Sequence, residues 1–171
     1  MLVPLIFFTA YQTSDIFHNR VDLAVNNTIN YEISKNTSVG QRVNFAINSW
    51  ELIKENPIIG IGTGDFPSEY KKINQIKTPQ LPNTTNPHNM YTLITMQLGL
   101  IGLLSMISIF YYQLKYSFNA SNATIFIRDA GFALPLLFLL VMWSDSYLLG
   151  HYTTLIFVFF SSFLHNNFEE T

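Results

Sequence analysis

His88 and Arg42 are the side chains whose type and setting most suggest chemistry. The histidine stands in Asn86-Pro87-His88-Asn89, where a polar, proline-punctuated loop runs into a long apolar segment. Asn at an N-cap and Pro at the first helical position are the grammar of a helix start. This predicts His88 in the first turn of a helix at a membrane–water interface, where an ionisable side chain is a functional candidate. The helix dipole disfavours imidazolium there, so a neutral ring able to take a proton is expected. The unpaired N–H groups of that turn, Asn89 included, would also welcome a phosphate. The plain alternative is a polar residue that anchors the helix.

Arg42 opens a helical pattern, and Arg20 lies upstream of it. Arginine grips phosphate bidentately in a way lysine does not reproduce. A solvated charge is the plain alternative, and for Arg20 the stronger one. Gly60, Gly62 and Gly64 alternate in Ile58-Ile59-Gly60-Ile61-Gly62-Thr63-Gly64. Such a stretch can turn tightly and aim N–H groups at an anion. Its spacing fits neither the dinucleotide fingerprint nor a Walker loop. A tight turn that folds the chain back to the membrane is the favoured reading. Asp145 and His151 stand near the outer ends of the last two spans; they could line the same face as His88, but interfacial residues are the favoured reading. Lys71, Lys72 and Lys77 read as a solvated basic stretch. The four histidines, 18, 88, 151 and 165, lack ligand spacing, so no metal site is expected.

The elements that must position these groups follow from the distribution of apolar residues. The chain of 171 residues is 49% hydrophobic and only 12% charged, with a mean hydropathy of +0.22. A soluble domain carries about 25% charge. The apolar residues collect at the N-terminus and in the second half, which marks an all-α polytopic membrane protein. A net charge of −2 gives no sign of nucleic acid, and the absence of cysteine excludes disulfides and thiolate chemistry.

About four transmembrane helices are expected. Residues 1–13 read as the end of one, which suggests that a longer protein precedes them; an interfacial or re-entrant helix is the rival reading. Residues 14–87 form a polar segment with seven of the nine Lys/Arg and seven of the eleven Asp/Glu. Spans are expected at 88–113, 129–145 and 146–165, with a polar hairpin at 114–128 and a tail at 166–171. The short hairpin carries Lys115 and Arg128. Short basic loops stay in the cytoplasm, whereas long loops cross regardless of charge. This puts 14–87 outside and both termini inside. Tyr11, Tyr91, Trp143, Tyr147 and Tyr152 would then form an outer aromatic belt. Val43, Ala46, Ile47, Trp50 and Ile53 recur at helical spacing, opposite Asn44, Asn48, Glu51 and Glu55. They predict an amphipathic helix over about 41–55, lying on or near the membrane surface or packed on the rest of the loop, and ended by Pro57. Residues 21–38, rich in Asn and Thr, read as loop.

The ordered set Ser38-Val39-Gly40-Gln41-Arg42, Trp50 to Gly64 with its Asn56-Pro57-Ile58-Ile59-Gly60-Ile61-Gly62 turn, Pro87-His88-Asn89-Met90-Tyr91 and Gln97-Leu98-Gly99-Leu100-Ile101-Gly102 resembles the C-terminal half of the O-antigen ligase and polymerase superfamily. The resemblance covers most of residues 38–105; the flanking spans match in hydropathy alone. It implies a bacterial inner-membrane glycosyltransferase whose active loop faces the periplasm. Such a protein moves or polymerises glycan from an undecaprenyl-diphosphate carrier onto a glycan or lipid-linked acceptor hydroxyl, with no metal or other cofactor. Carried over by position, Arg42 would hold the diphosphate, and His88 would act as general base on the acceptor hydroxyl or hydrogen-bond the diphosphate. Arg20, Asn89 and the three glycines would be substrate-binding. Family members have about ten to twelve spans, so the chain is expected to be incomplete as an enzyme. Two other readings are a transporter whose outer loop gates a path and a structural membrane subunit of polysaccharide export. Discontinuous helices and paired intramembrane charges would favour the transporter.

Overall fold

The computed structural model describes residues 2–30, 35–120 and 125–165. Among them are seven α-helices, one 3₁₀ turn and no strand: α1 (Leu2–Thr13), α2 (Asp15–Ile29), α3 (Ser38–Glu55), α4 (Phe66–Lys77), α5 (Met90–Asn119), α6 (Ile125–Val141), the turn Tyr147–Leu149 and α7 (His151–Leu164). The expected tail at 166–171 lies outside the described residues. The chain divides into two compact units, Met1–Ile47 and Asn48–Thr171.

In the first unit, α1 and α2 are separated at Ser14, whose hydroxyl caps α2 by accepting the Phe17 N–H. Tyr11 stacks on His18 and donates its hydroxyl hydrogen to Asp22 at 2.6 Å. Much of the segment read as loop, residues 21–29, is therefore helical. Asn and Thr are poor helix formers in isolation, but propensity is a weak prior that local contacts override.

In the second unit, α3 continues into a buried polar layer. Asn48 donates to the Thr78 hydroxyl at 3.0 Å, and Thr78 donates to Asn74 Oδ1 at 2.7 Å. Asn74 in turn reaches the Leu81 carbonyl and Asn83. On α3, Ile53 is buried and Glu55 is exposed, and the asparagine-bearing side packs within the chain. Asn44, Asn48 and Ser49 are buried, whereas Ile47 and Trp50 are exposed. The pairing of Asn48 makes its burial tolerable.

Three helices form an up–down–up arrangement. Phe157 of α7 stacks near both Phe110 of α5 and Phe138 of α6. Farther along, Gln113 donates to Ser161 at 2.9 Å, and His165 Nε2 lies 3.2 Å from the Gly131 carbonyl. His165 thus sits at the bundle end remote from Met142. Only α5 is long and apolar enough to cross a membrane among the described residues. Helices α6 and α7, at 17 and 14 residues, fall short of the ~20 that a ~30 Å core requires.

Helix α5 is not continuous. Gly99 adopts φ +65, ψ −162 and divides it into a short arm, Met90–Leu98, and a long arm, Leu100–Asn119. The long arm alone measures about 30 Å at ~1.5 Å per residue. A straight α5 would carry Met90 roughly 25 Å beyond the end of α6. Instead the Met90 N–H donates to the Met142 carbonyl at 2.9 Å. The short arm therefore folds back over the bundle end, and Gly99 makes that turn possible.

Candidate functional site

The glycine-rich segment is what fills the break in α5. Without the break, Leu100 and Ile101 would donate to the Met96 and Gln97 carbonyls, as helical residues do four positions back. The segment supplies a partner to each of the four orphaned groups. Ile61 N–H donates to Met96 O at 2.8 Å and Gly62 N–H to Gln97 O at 3.0 Å. Leu100 N–H donates to Pro57 O at 2.9 Å and Ile101 N–H to Ile58 O at 3.3 Å. A side chain at Gly60 would strike the Gln97 and Leu98 backbone, and one at Gly99 the Ile58 backbone. The two motifs of the sequence are thus one interlock. The amides of Gly60, Ile61 and Gly62 donate within the chain, which leaves none of the three for a phosphate. The Asp65 carboxylate also stands at Gly62, a poor neighbour for an anion. Geometry matches the tight-turn reading of this segment.

His88 lies three positions earlier than expected relative to its helix, since the N-cap is Asn89 and not Asn86. Asn89 is the N-cap: its side chain accepts the Thr92 N–H, and α5 begins at Met90. Asn89 is thereby committed to capping, and its amide nitrogen donates to the Trp143 carbonyl at 3.0 Å. Asn86 instead accepts the His88 N–H at 2.9 Å through its side chain. Asn86-Pro87 imitates a cap and first turn, but this Asx contact bends the chain at His88. The backbone of His88 sits at φ +54, in the left-handed region. Such a conformation in a non-glycine residue is held by its surroundings, and strain of this kind gathers at functional sites.

The partner that holds the ring is Asp145. His88 Nδ1 lies 3.2 Å from Asp145 Oδ1, and the Asn86 amide donates to the same oxygen at 3.0 Å. Asp145 also accepts the Ser146 N–H at 2.7 Å. Partial burial pushes the Asp145 carboxyl upward, but the Ser146 and Asn86 donors and the adjacent His88 outweigh it and hold it below the ordinary carboxylate value. An ionised Asp145 accepting from Nδ1–H selects the tautomer with its lone pair on Nε2. The arrangement can take a proton from a hydroxyl and stabilise the charge it acquires. A cavity of about 400 Å³ opens beside it, lined by Asn86, Asp145, Ser146, Tyr147, Gly150 and Thr153 among others. His151 begins α7 and is exposed.

Asp145 is the residue that sequence reasoning undervalued: a face shared with His88 was the lesser reading, since a 57-residue separation fixes no contact. Arg20 and Arg42 belong to the first unit. Both are exposed, on α2 and on the second turn of α3. Thr37 caps α3 by accepting the Gly40 N–H at 3.1 Å. Of the basic stretch, Lys72 pairs with Glu69 at 2.6 Å and Lys77 with Glu51 at 3.3 Å. Lys54, one turn along α3, holds Glu51 well in its charged form, with Lys77 adding to the effect.

An imidazole beside a carboxylate thus stands at one end of an apolar helical bundle that contains a helix of membrane-spanning length. The O-antigen ligase family model matches residues 1–107, well over half of the chain, and the chain belongs to that family. It is a family of integral inner-membrane proteins, and membership supports a glycan ligase- or polymerase-type function. The match contains Arg20, Arg42, the interlock and His88, and ends before Asp145. No curated protein matches the chain.

Proposed function

We propose that this chain carries the acid–base part of a membrane glycosyltransferase of the ligase or polymerase type, acting on a glycan linked to undecaprenyl diphosphate. The supporting observation is the Asn86–His88–Asp145 cluster within a chain of the O-antigen ligase family. In the proposed reaction an acceptor hydroxyl oxygen attacks the anomeric carbon of the donor glycan. The bond from that carbon to the diphosphate oxygen breaks, and the lipid diphosphate leaves with the electron pair. His88 takes the hydroxyl proton at Nε2, and Asp145 stabilises the imidazolium. Diphosphate is already a good leaving group, so the protein need supply one base and charge stabilisation, with no covalent nucleophile. Arg42 is proposed to grip the diphosphate, and Arg20 to assist.

The proposed topology has four spans, with 14–87 and the His88–Asp145 end of the bundle at the periplasmic face. Helices α6 and α7 are short for this, so the bilayer would thin or their flanks would complete the crossing. The break in α5 is the kind of discontinuity that transporters use to coordinate ions. Here its four backbone groups are already paired with the glycine segment, which leaves an ion little to bind and favours the transferase.

The test is reconstitution of the full-length protein in liposomes with a polyprenyl-diphosphate glycan and a hydroxyl acceptor. Glycan transfer is expected, unchanged by EDTA. Transfer from a nucleotide sugar but not from the lipid diphosphate would overturn the proposal.

A further inference from the structure

Pro135 stands inside α6 and is buried. A proline has no N–H, so the carbonyl four residues back, that of Gly131, has no helical donor, and the ring crowds that same carbonyl. In apolar surroundings a carbonyl freed in this way is tolerated where a neighbouring helix supplies the missing partner. His165, at the C-cap of α7, stands where that partner is needed. Its Nε2 lies 3.2 Å from the Gly131 carbonyl, and Ser117 Oγ of α5 lies 3.3 Å from the same nitrogen. The other ring nitrogen, Nδ1, faces the Ser161 carbonyl at 3.1 Å, but that carbonyl already accepts the His165 backbone N–H. Gly131 therefore has the greater need of the ring hydrogen. Its lack of a side chain permits the approach, since a Cβ there would stand 2.5 Å from Ser117 Oγ.

The outer part of α6, beyond Pro135, is tied to the short arm of α5. Leu139 O accepts the Tyr91 hydroxyl hydrogen at 2.6 Å, and Met142 O accepts the Met90 N–H at 2.9 Å. Farther on, Trp143 O and Asp145 accept from Asn89 and Asn86. The segments that carry His88 and Asp145 are thus joined to one another. They continue into the long arm of α5 through the break at Gly99, and into the first turns of α6 through the break at Pro135. The glycine-rich segment fills the first break. A proline break that is not filled is a place where a helix kinks.

We propose that His165 locks the second break. By donating to Gly131 from α7, with Ser117 of α5 alongside, it fixes the direction of the outer part of α6 and hence the seat of the Asp145 loop. His165 is a positioning residue that acts through α6, at the bundle end remote from the site. Its bearing on glycan transfer rests on the reading of His88 and Asp145 given above; the lock itself does not.

The chain has no cysteine, so a nitroxide pair can be placed cleanly at Asn119→Cys and Ser144→Cys, both exposed. The labels flank the bundle, one at the end of α5 and one beside Asp145. Their separation would be measured by double electron–electron resonance in the full-length protein, reconstituted in phosphatidylethanolamine–phosphatidylglycerol vesicles. The pair alone should give a single narrow distance peak. His165→Phe, which keeps an aromatic ring without a donor, should broaden or split it. Pro135→Ala restores the N–H that Gly131 lacks, so adding it to His165→Phe should return the narrow peak. An unchanged peak in His165→Phe would overturn the proposal, and so would broadening that persists after Pro135→Ala. Should His165→Phe fail to assemble, Pro135→Ala is expected to restore assembly, and failure of the double variant as well would also overturn the lock. None of these outcomes depends on glycan transfer, so loss of the proposed reaction and loss of the lock are separately visible.

Discussion

At the scale of single residues, the account rests on a histidine in an unfavourable backbone conformation beside a carboxylate. His88→Asn is an informative variant, because Asn tolerates φ > 0 better than most residues and lacks a basic ring. Asp145→Asn keeps the shape but offers the ring an amide, which can stabilise the wrong tautomer. Its loss of transfer should approach that of the His88 variant, with membrane abundance unchanged. The Asp145 carboxyl is held below its ordinary value, near 3.9, by Ser146, Asn86 and His88 against partial burial. A depressed carboxylate stabilises the fold above its unfolded pKa, and that contribution is lost as pH falls through the folded value. Stability of the His88–Asp145 contact should therefore persist through pH 5 and decline only below about pH 4. A thermal melt showing an Asp145-dependent loss between pH 7 and 5 would contradict this. For Arg42, lysine substitution separates two roles. An exposed charge contributes ~0–1 kcal/mol and tolerates lysine, whereas a diphosphate clamp loses on the order of 1.5–3 kcal/mol per charged hydrogen bond. Arg42→Lys should fail nearly as badly as Arg42→Ala in transfer from lipid diphosphate, and near-normal turnover would remove Arg42 from the site.

At the scale of elements, the interlock of the glycine-rich segment with α5 makes the strongest demand on the sequence. Gly99→Ala adds a Cβ against the Ile58 backbone at φ +65. The left-handed conformation alone costs roughly 1–2 kcal/mol, and the glycine-rich segment must also withdraw. Gly99→Ala should therefore lower the unfolding temperature in detergent by more than the conformational penalty accounts for. A variant melting with wild type would contradict the interlock. Both of its halves could be read from the sequence, as a tight turn and a glycine-bearing span, but their meeting could not. Hydropathy reports that residues 90–112 are apolar and is blind to a dihedral angle that breaks the helix among them. Two further misreadings have physical causes. Phe66, Tyr70 and Asn74 are buried on one face of α4, a helical spacing hidden among lysines, glutamate and asparagines. Asn86-Pro87 resembled a cap because both a cap and an Asx turn use an asparagine oxygen to bind a nearby N–H.

At the scale of the whole molecule, composition and the run of apolar segments were enough to indicate an all-helical membrane chain, and the ordered motifs to indicate the family. The pairing of His88 with Asp145 was legible only as a shared face, because the contact itself depends on how α5 folds back over the end of α6. The proposed orientation can be tested with an impermeant thiol reagent on single cysteines in intact spheroplasts. Thr63→Cys should label and Asn119→Cys should not; the opposite pattern would reverse the topology. The most direct test of the central claim is glycan transfer by His88→Asn in the full-length protein, measured against wild type at equal membrane abundance with a purified lipid-diphosphate donor. Removal of a general base should slow transfer roughly 10²–10⁴-fold while insertion and thermal stability are retained. Transfer within a few-fold of wild type would contradict the assignment and leave the His88–Asp145 pair as an anchor for the start of α5.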